Sequence, residues 1–147
     1  MIETVGVPSR HDPADSLADI IENAERIEQY LAGVDRAALA GNGLLRDAVE
    51  HCLERVCEAA RRLGERAAEW MPNQPWGDIR GMGNRLRHAY DRISLDVIWN
   101  AACHDLPGLA ADARRVLAQL QTDHDDAGVP DGRGGAGPTG RGTITGR

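Results

Sequence analysis

The chain has 147 residues, enough for one domain, with 41% hydrophobic and 27% charged residues. Aromatics are 3%, Phe is absent and all 17 basic residues are Arg, so the core is aliphatic and Ala-rich, which favours packed helices over a sheet. The net charge of −6 argues against a general nucleic-acid coat, and no run approaches the roughly 18 apolar residues of a membrane span.

Residues 1–13 are polar, contain Pro8 and Pro13, and are expected to be flexible. A first helix follows, with Asp15 or Ser16 as its cap. Leu17, Ile20, Ile21, Ala24, Ile27 and Leu31 give it one apolar stripe, and Gly33 stops it. A short helical piece lies within residues 35–43. The second long helix carries Leu45, Val49, Cys52, Leu53, Val56, Ala60 and Leu63 and is expected to run to about Trp70, weakened at Gly64. Pro72 and Pro75 forbid its continuation.

A third helix starts near Trp76 and contains Ile79, Met82, Leu86 and Ala89. Ser94 caps a short helix through Ile98 and Ala101. The last stripe, from Leu106 to Leu120, starts around Pro107. The pattern stops at Thr122, so residues 123–147, with 8 Gly and 2 Pro, are expected to be a disordered tail. The predicted fold is all-α: an antiparallel bundle of four to five helices over residues 14–122.

Charge is unevenly placed. Residues 76–92 hold four Arg against two acids, while residues 1–75 hold eight against fourteen. One basic segment in an acidic protein points to a local anion site; the plainer alternative is a solvated helix face. The three cysteines, Cys52, Cys57 and Cys103, are too few for a disulfide framework and predict a reducing cytoplasm. No histidine or cysteine spacing suits zinc, so no metal and no cofactor is expected.

What remains is the segment 76–90, in which His88 follows Arg80, Arg85 and Arg87. A histidine beside guanidinium groups can do acid–base work on a phosphodiester while an arginine holds the phosphate. One chain supplies one such histidine; a symmetric dimer supplies two. A packed, structural His88 is the competing reading.

Residues 75–109, with the elements Pro75-Trp76, His88-Ala89-Tyr90, Asp96-Val97-Ile98-Trp99 and Asp105-Leu106-Pro107, resemble the HepT-like toxins of the HEPN superfamily. Glu58-Ala59 extends the likeness into the second helix. The resemblance implies a helical homodimer that cleaves RNA, with both subunits lining one cleft. It implies His88 as the acid–base residue and Asn84 as its polar companion. It further implies a nucleotidyltransferase antitoxin of the minimal (MNT) type that places AMP on Tyr90. Phosphates added there would fill the site and repel RNA. The family signature has arginine five residues before the histidine, and here that position is Gly83. A glycine in a helix already weakened by Gly81 reads as an arginine lost, so the chain is expected to be disarmed unless Arg80, Arg85 or Arg87 supplies the guanidinium. A binding protein that keeps the dimer and the partner surface without catalysis is the alternative.

Overall fold

The structure, a computed structural model, describes residues 12–88 and 93–128. Four long helices form an all-α bundle: α1 (Pro13–Leu31), α3 (Gly43–Leu63), α5 (Trp76–Arg87) and α7 (Leu106–Ala127). Short helices α2 (Arg36–Ala40), α4 (Glu65–Trp70) and α6 (Leu95–Asn100) connect them. No strand occurs among the described residues, and no helix there is long and apolar enough to cross a membrane.

Helix α3 is the central element, packed against α1 on one side and α5 on the other, while α7 closes on α1. The stripes read from the sequence are the buried faces. Leu17, Ile20 and Ile27 of α1 meet Val49, Cys52, Leu53 and Val56 of α3 and Leu109, Ala113 and Val116 of α7 in one core. Small side chains (Ala59, Ala60, Ala110, Ala113) let these helices approach closely without aromatic filling.

Four boundaries differ from the sequence expectation. The cap of α1 is Asp12, whose carboxylate accepts from the Ala14 N–H at 2.9 Å, while Ser16 is buried. Pro13 at the first helical position lets α1 begin earlier than its stripe. Helix α3 ends at Leu63, because Gly64 turns the chain at φ +59° and α4 starts afresh. Helix α7 is entered through a π-helical turn, Ala101–Asp105, that continues directly from α6. It also runs to Ala127, so the start of the predicted disordered tail, residues 123–127, is helical. Residues 1–11 of the predicted flexible N-terminus and residues 129–147 of the tail lie outside the described residues.

Candidate functional site

Helix α5 is fixed at its start by Trp76, which is buried and donates its indole N–H to the Met71 carbonyl at 2.8 Å. That anchor sets the rotation of the helix. Arg80, Asn84 and Arg87 then recur at four and three residues and share a face, with Gly83 beside them. The facing wall is Glu54, Cys57, Glu58 and Arg61 of α3, at the same spacing. Between the two stripes lies an open groove of about 340 Å³, lined by these eight residues.

Gly83 is its floor. It is buried, and a Cβ built on it would stand 3.0 Å from Cys57 Cβ. Contacts that short require α3 and α5 to part by a few tenths of an ångström. In the sequence, Gly81 and Gly83 mark a helix that is locally weak or closely approached; the structure puts Gly83 at the close approach of two helices.

Glu58 organises the groove. Arg61 donates to both of its carboxylate oxygens, at 2.6 and 3.0 Å. Arg87 Nη1 lies 3.6 Å from the same carboxylate, and Arg62 Nε lies at 3.9 Å. The hydrogen bond from Arg61 holds the Glu58 carboxyl below the usual range against its partial burial, and the charges of Arg61, Arg62 and Arg87 add to the effect. Arg87 donates to Asn84 Oδ1 at 2.6 Å, its one hydrogen bond among the described residues. It is therefore steered from both sides, by a carboxylate on α3 and an amide one turn back on its own helix. Arg80 makes neither a hydrogen bond nor an ion pair among the described residues (its guanidinium is an uncommitted cation at the other end of the groove).

Cys57 offers no nucleophile here. Burial pushes its thiol up to about 11, with the Arg87 charge pulling partly the other way. All three cysteines are free, Cys52 and Cys57 buried and Cys103 half-buried.

The sequence candidates separate clearly. Asn84, Gly83, Arg80 and Arg87 come together in the groove. Arg85 does not line it: two residues before Arg87, it lies about 160° round the helix. His88 is exposed at the C-terminal cap of α5 with an extended backbone, its N–H donating to the Asn84 carbonyl at 3.2 Å. It was expected inside the helix, which the sequence carries to Ala89; the helix ends one residue before His88. Tyr90 lies outside the described residues. Sequence reasoning missed Arg61, whose only signal is its i, i+3 spacing from Glu58. It also missed Arg46 of α3, which pairs with Glu50 and donates to the Ile93 carbonyl, tying down the chain that leads into α6. Among the described residues, no group of three or more His, Cys, Asp or Glu is placed to hold a metal ion.

The groove sets three guanidiniums against two carboxylates, and the helix that carries Arg80 and Arg87 ends at the exposed His88. Arginine forks match phosphate oxygens in two-point contact. The family model described as ribonuclease HepT-like matches residues 20–116. A candidate RNase of Methanocaldococcus jannaschii, MJ1380, is 30% identical over 108 residues, covering 74% of this chain and 99% of its own. A candidate ribonuclease HepT of Thermococcus cleftensis is 28% identical over 95 residues, covering 65% of this chain and 86% of its own. No solved structure matches the chain.

Proposed function

The chain belongs to the HepT-like ribonuclease family of the HEPN type, and from that premise we propose that it is a metal-independent endoribonuclease acting as a homodimer in the cytoplasm. The observation that carries this reading is the placement of His88: exposed at the C-terminal cap of α5 and next in sequence to Arg87, which lines the groove. His88 accepts the proton of an RNA 2′-hydroxyl as the 2′-oxygen attacks phosphorus. The bond to the 5′-oxygen breaks, and the partner subunit's His88 protonates the departing oxygen. The products are a 2′,3′-cyclic phosphate and a 5′-hydroxyl. The guanidiniums offset the charge that gathers on the phosphoryl oxygens.

The same reading supplies the control. The toxin is paired with a minimal nucleotidyltransferase antitoxin, which transfers AMP from ATP to Tyr90. The phenolic oxygen attacks the α-phosphorus, pyrophosphate leaves, and the phenolic proton passes to a base. A phosphate two residues from His88 competes with RNA phosphate for the same cations.

The vacancy at position 83 favours a second reading, a non-catalytic member that keeps only the dimer and the antitoxin surface. Cleavage of RNA by the purified chain in EDTA separates the two. Cleavage that disappears in His88→Ala supports the ribonuclease, and tight binding to the nucleotidyltransferase without any cleavage supports the binding protein.

A further inference from the structure

We infer that the groove between α3 and α5 is the RNA-phosphate subsite of this chain, that Arg80 and Arg87 are its phosphate-contacting residues in place of the arginine missing at position 83, and that Glu58 is a positioning residue for Arg87. The inference rests on the ribonuclease reading for its choice of RNA as the anion. It rests on the geometry for the residues.

Three observations lead there. The first is that Gly83 supplies no guanidinium, and a Cβ added there would stand 3.0 Å from Cys57 Cβ, so α3 would have to give by a few tenths of an ångström to admit a side chain. A guanidinium must therefore come from elsewhere on the same face. The second is that two arginines flank Gly83 on that face, three residues before and four after, and both line the groove. Seven residues separate them, so they stand roughly 10 Å apart along the helix axis, room for consecutive phosphates of one strand. The third is their state. The Arg80 guanidinium is uncommitted among the described residues, and Arg87 spends one side-chain hydrogen bond on Asn84 while the Glu58 carboxylate, which accepts two bonds from Arg61, pairs with it at 3.6 Å. Of the five N–H donors of the Arg87 guanidinium, most remain available for a phosphate. Because Gly83 has no side chain, the floor between the two cations is open to the strand.

The assignment excludes Arg85. It has the same charge and a similar distance in sequence from His88, but it does not line the groove, so it is the internal control.

The test uses the full chain and a fluorescein-labelled random-sequence RNA in which fluorine replaces every 2′-hydroxyl, so that binding is read without cleavage. Fluorescence anisotropy at low salt is measured for the wild type, Arg80→Ala, Arg87→Ala, Arg85→Ala and Arg87→Lys. Loss of a bidentate guanidinium contact is expected to weaken binding about tenfold in Arg80→Ala and in Arg87→Ala, and to lower the salt dependence by about one counterion each. Arg85→Ala is expected to stay within about twofold, and Arg87→Lys to fall between, since it keeps the charge and loses the fork. Glu58→Gln is expected to bind the probe as well as or better than the wild type yet cleave unmodified RNA with a lower kcat, a split that loss of fold would not give. Equal losses in Arg85→Ala and Arg87→Ala, an absence of binding by the wild type, or a Glu58→Gln variant with unchanged kcat would overturn the assignment. Groove-dependent binding by a wild type that cleaves nothing would support the subsite and reject the ribonuclease reading, so the two failures are distinguishable.

Discussion

Gly83 of α5 lies against Cys57 of α3 so closely that a Cβ on the glycine would stand 3.0 Å from the cysteine Cβ. Two opposing effects decide what a substitution there does. Alanine gains about 1 kcal/mol over glycine in a helix interior. Overpacking a close helix contact costs about 1–3 kcal/mol, and the obstacle is a Cβ rather than the end of a flexible chain. The packing cost wins. Gly83→Ala is expected to lower the thermal midpoint, with a net loss of roughly 1 kcal/mol. Gly83→Arg shares the same first contact, and is expected to lose stability without gaining RNA cleavage. A rise in melting temperature for Gly83→Ala would show that α3 and α5 part freely.

Glu58 gives a pH dependence of known sign. Its folded pKa lies below the ordinary carboxyl value, chiefly through the Arg61 hydrogen bond. The stability it contributes is complete above the unfolded pKa and is lost as pH falls through the folded one. The stability gap between the wild type and Glu58→Gln is therefore expected to be widest near neutrality and to close in acid. Chemical denaturation across that range checks it; a gap that stayed constant into acid would mean that the ion pairs around Glu58 contribute nothing.

The cysteines differ in reach. The Cys57 thiol, raised to about 11 and buried, and the buried Cys52 stay protonated and shielded at neutral pH, whereas Cys103 is half-buried. Mass spectrometry during iodoacetamide labelling of the native chain is expected to find Cys103 modified first. Labelling of Cys57 first would require α5 to open from α3 on the timescale of the reaction. In the alkaline range the sign reverses relative to Glu58: the unfolded thiol ionises before the folded one, so the contribution of Cys57 is full below its ordinary pKa of 9.0 and falls as pH rises toward about 11.

Arg46 separates two kinds of ion pair. It is largely buried, pairs with Glu50 at 3.0 Å and donates to the Ile93 carbonyl. Arg26 pairs with Glu22 at a similar distance, but both are largely exposed. A charged donor to a sheltered carbonyl contributes about 1.5–3 kcal/mol, while an exposed pair is worth at most about 1 kcal/mol. Arg46→Ala is expected to destabilise the fold clearly more than Arg26→Ala in denaturant titrations; equal effects would remove Arg46 as an anchor of the chain entering α6.

Much of this was legible in the sequence because burial writes a period into it. The stripes of α1, α3 and α7 predicted their buried faces, and Ser94 was found as the cap of α6, accepting from the Val97 N–H at 3.3 Å. The end of α7 was not legible, since residues 122–127 are exposed and a solvated helix carries no apolar stripe. At the site, His88, Asn84 and the basic segment stood out in one stretch of chain. The choice among its arginines did not, because it depends on how α5 is rotated against α3. That rotation is set by Trp76 at one end and Gly83 on Cys57 at the middle. The wall formed by Glu58 and Arg61 lies more than twenty residues away in sequence, and only the packing of two helices brings it to Arg87.

The most direct measurement of the central claim is cleavage of total RNA by the purified wild type and by His88→Ala, both in EDTA, with product ends identified. General acid–base catalysis by a positioned histidine contributes on the order of a hundredfold or more. The account predicts metal-independent cleavage by the wild type leaving 2′,3′-cyclic phosphate and 5′-hydroxyl ends, and at least that loss of rate in His88→Ala. A wild type that cleaves only when Mg²⁺ is added, or an activity that survives in His88→Ala, would contradict it.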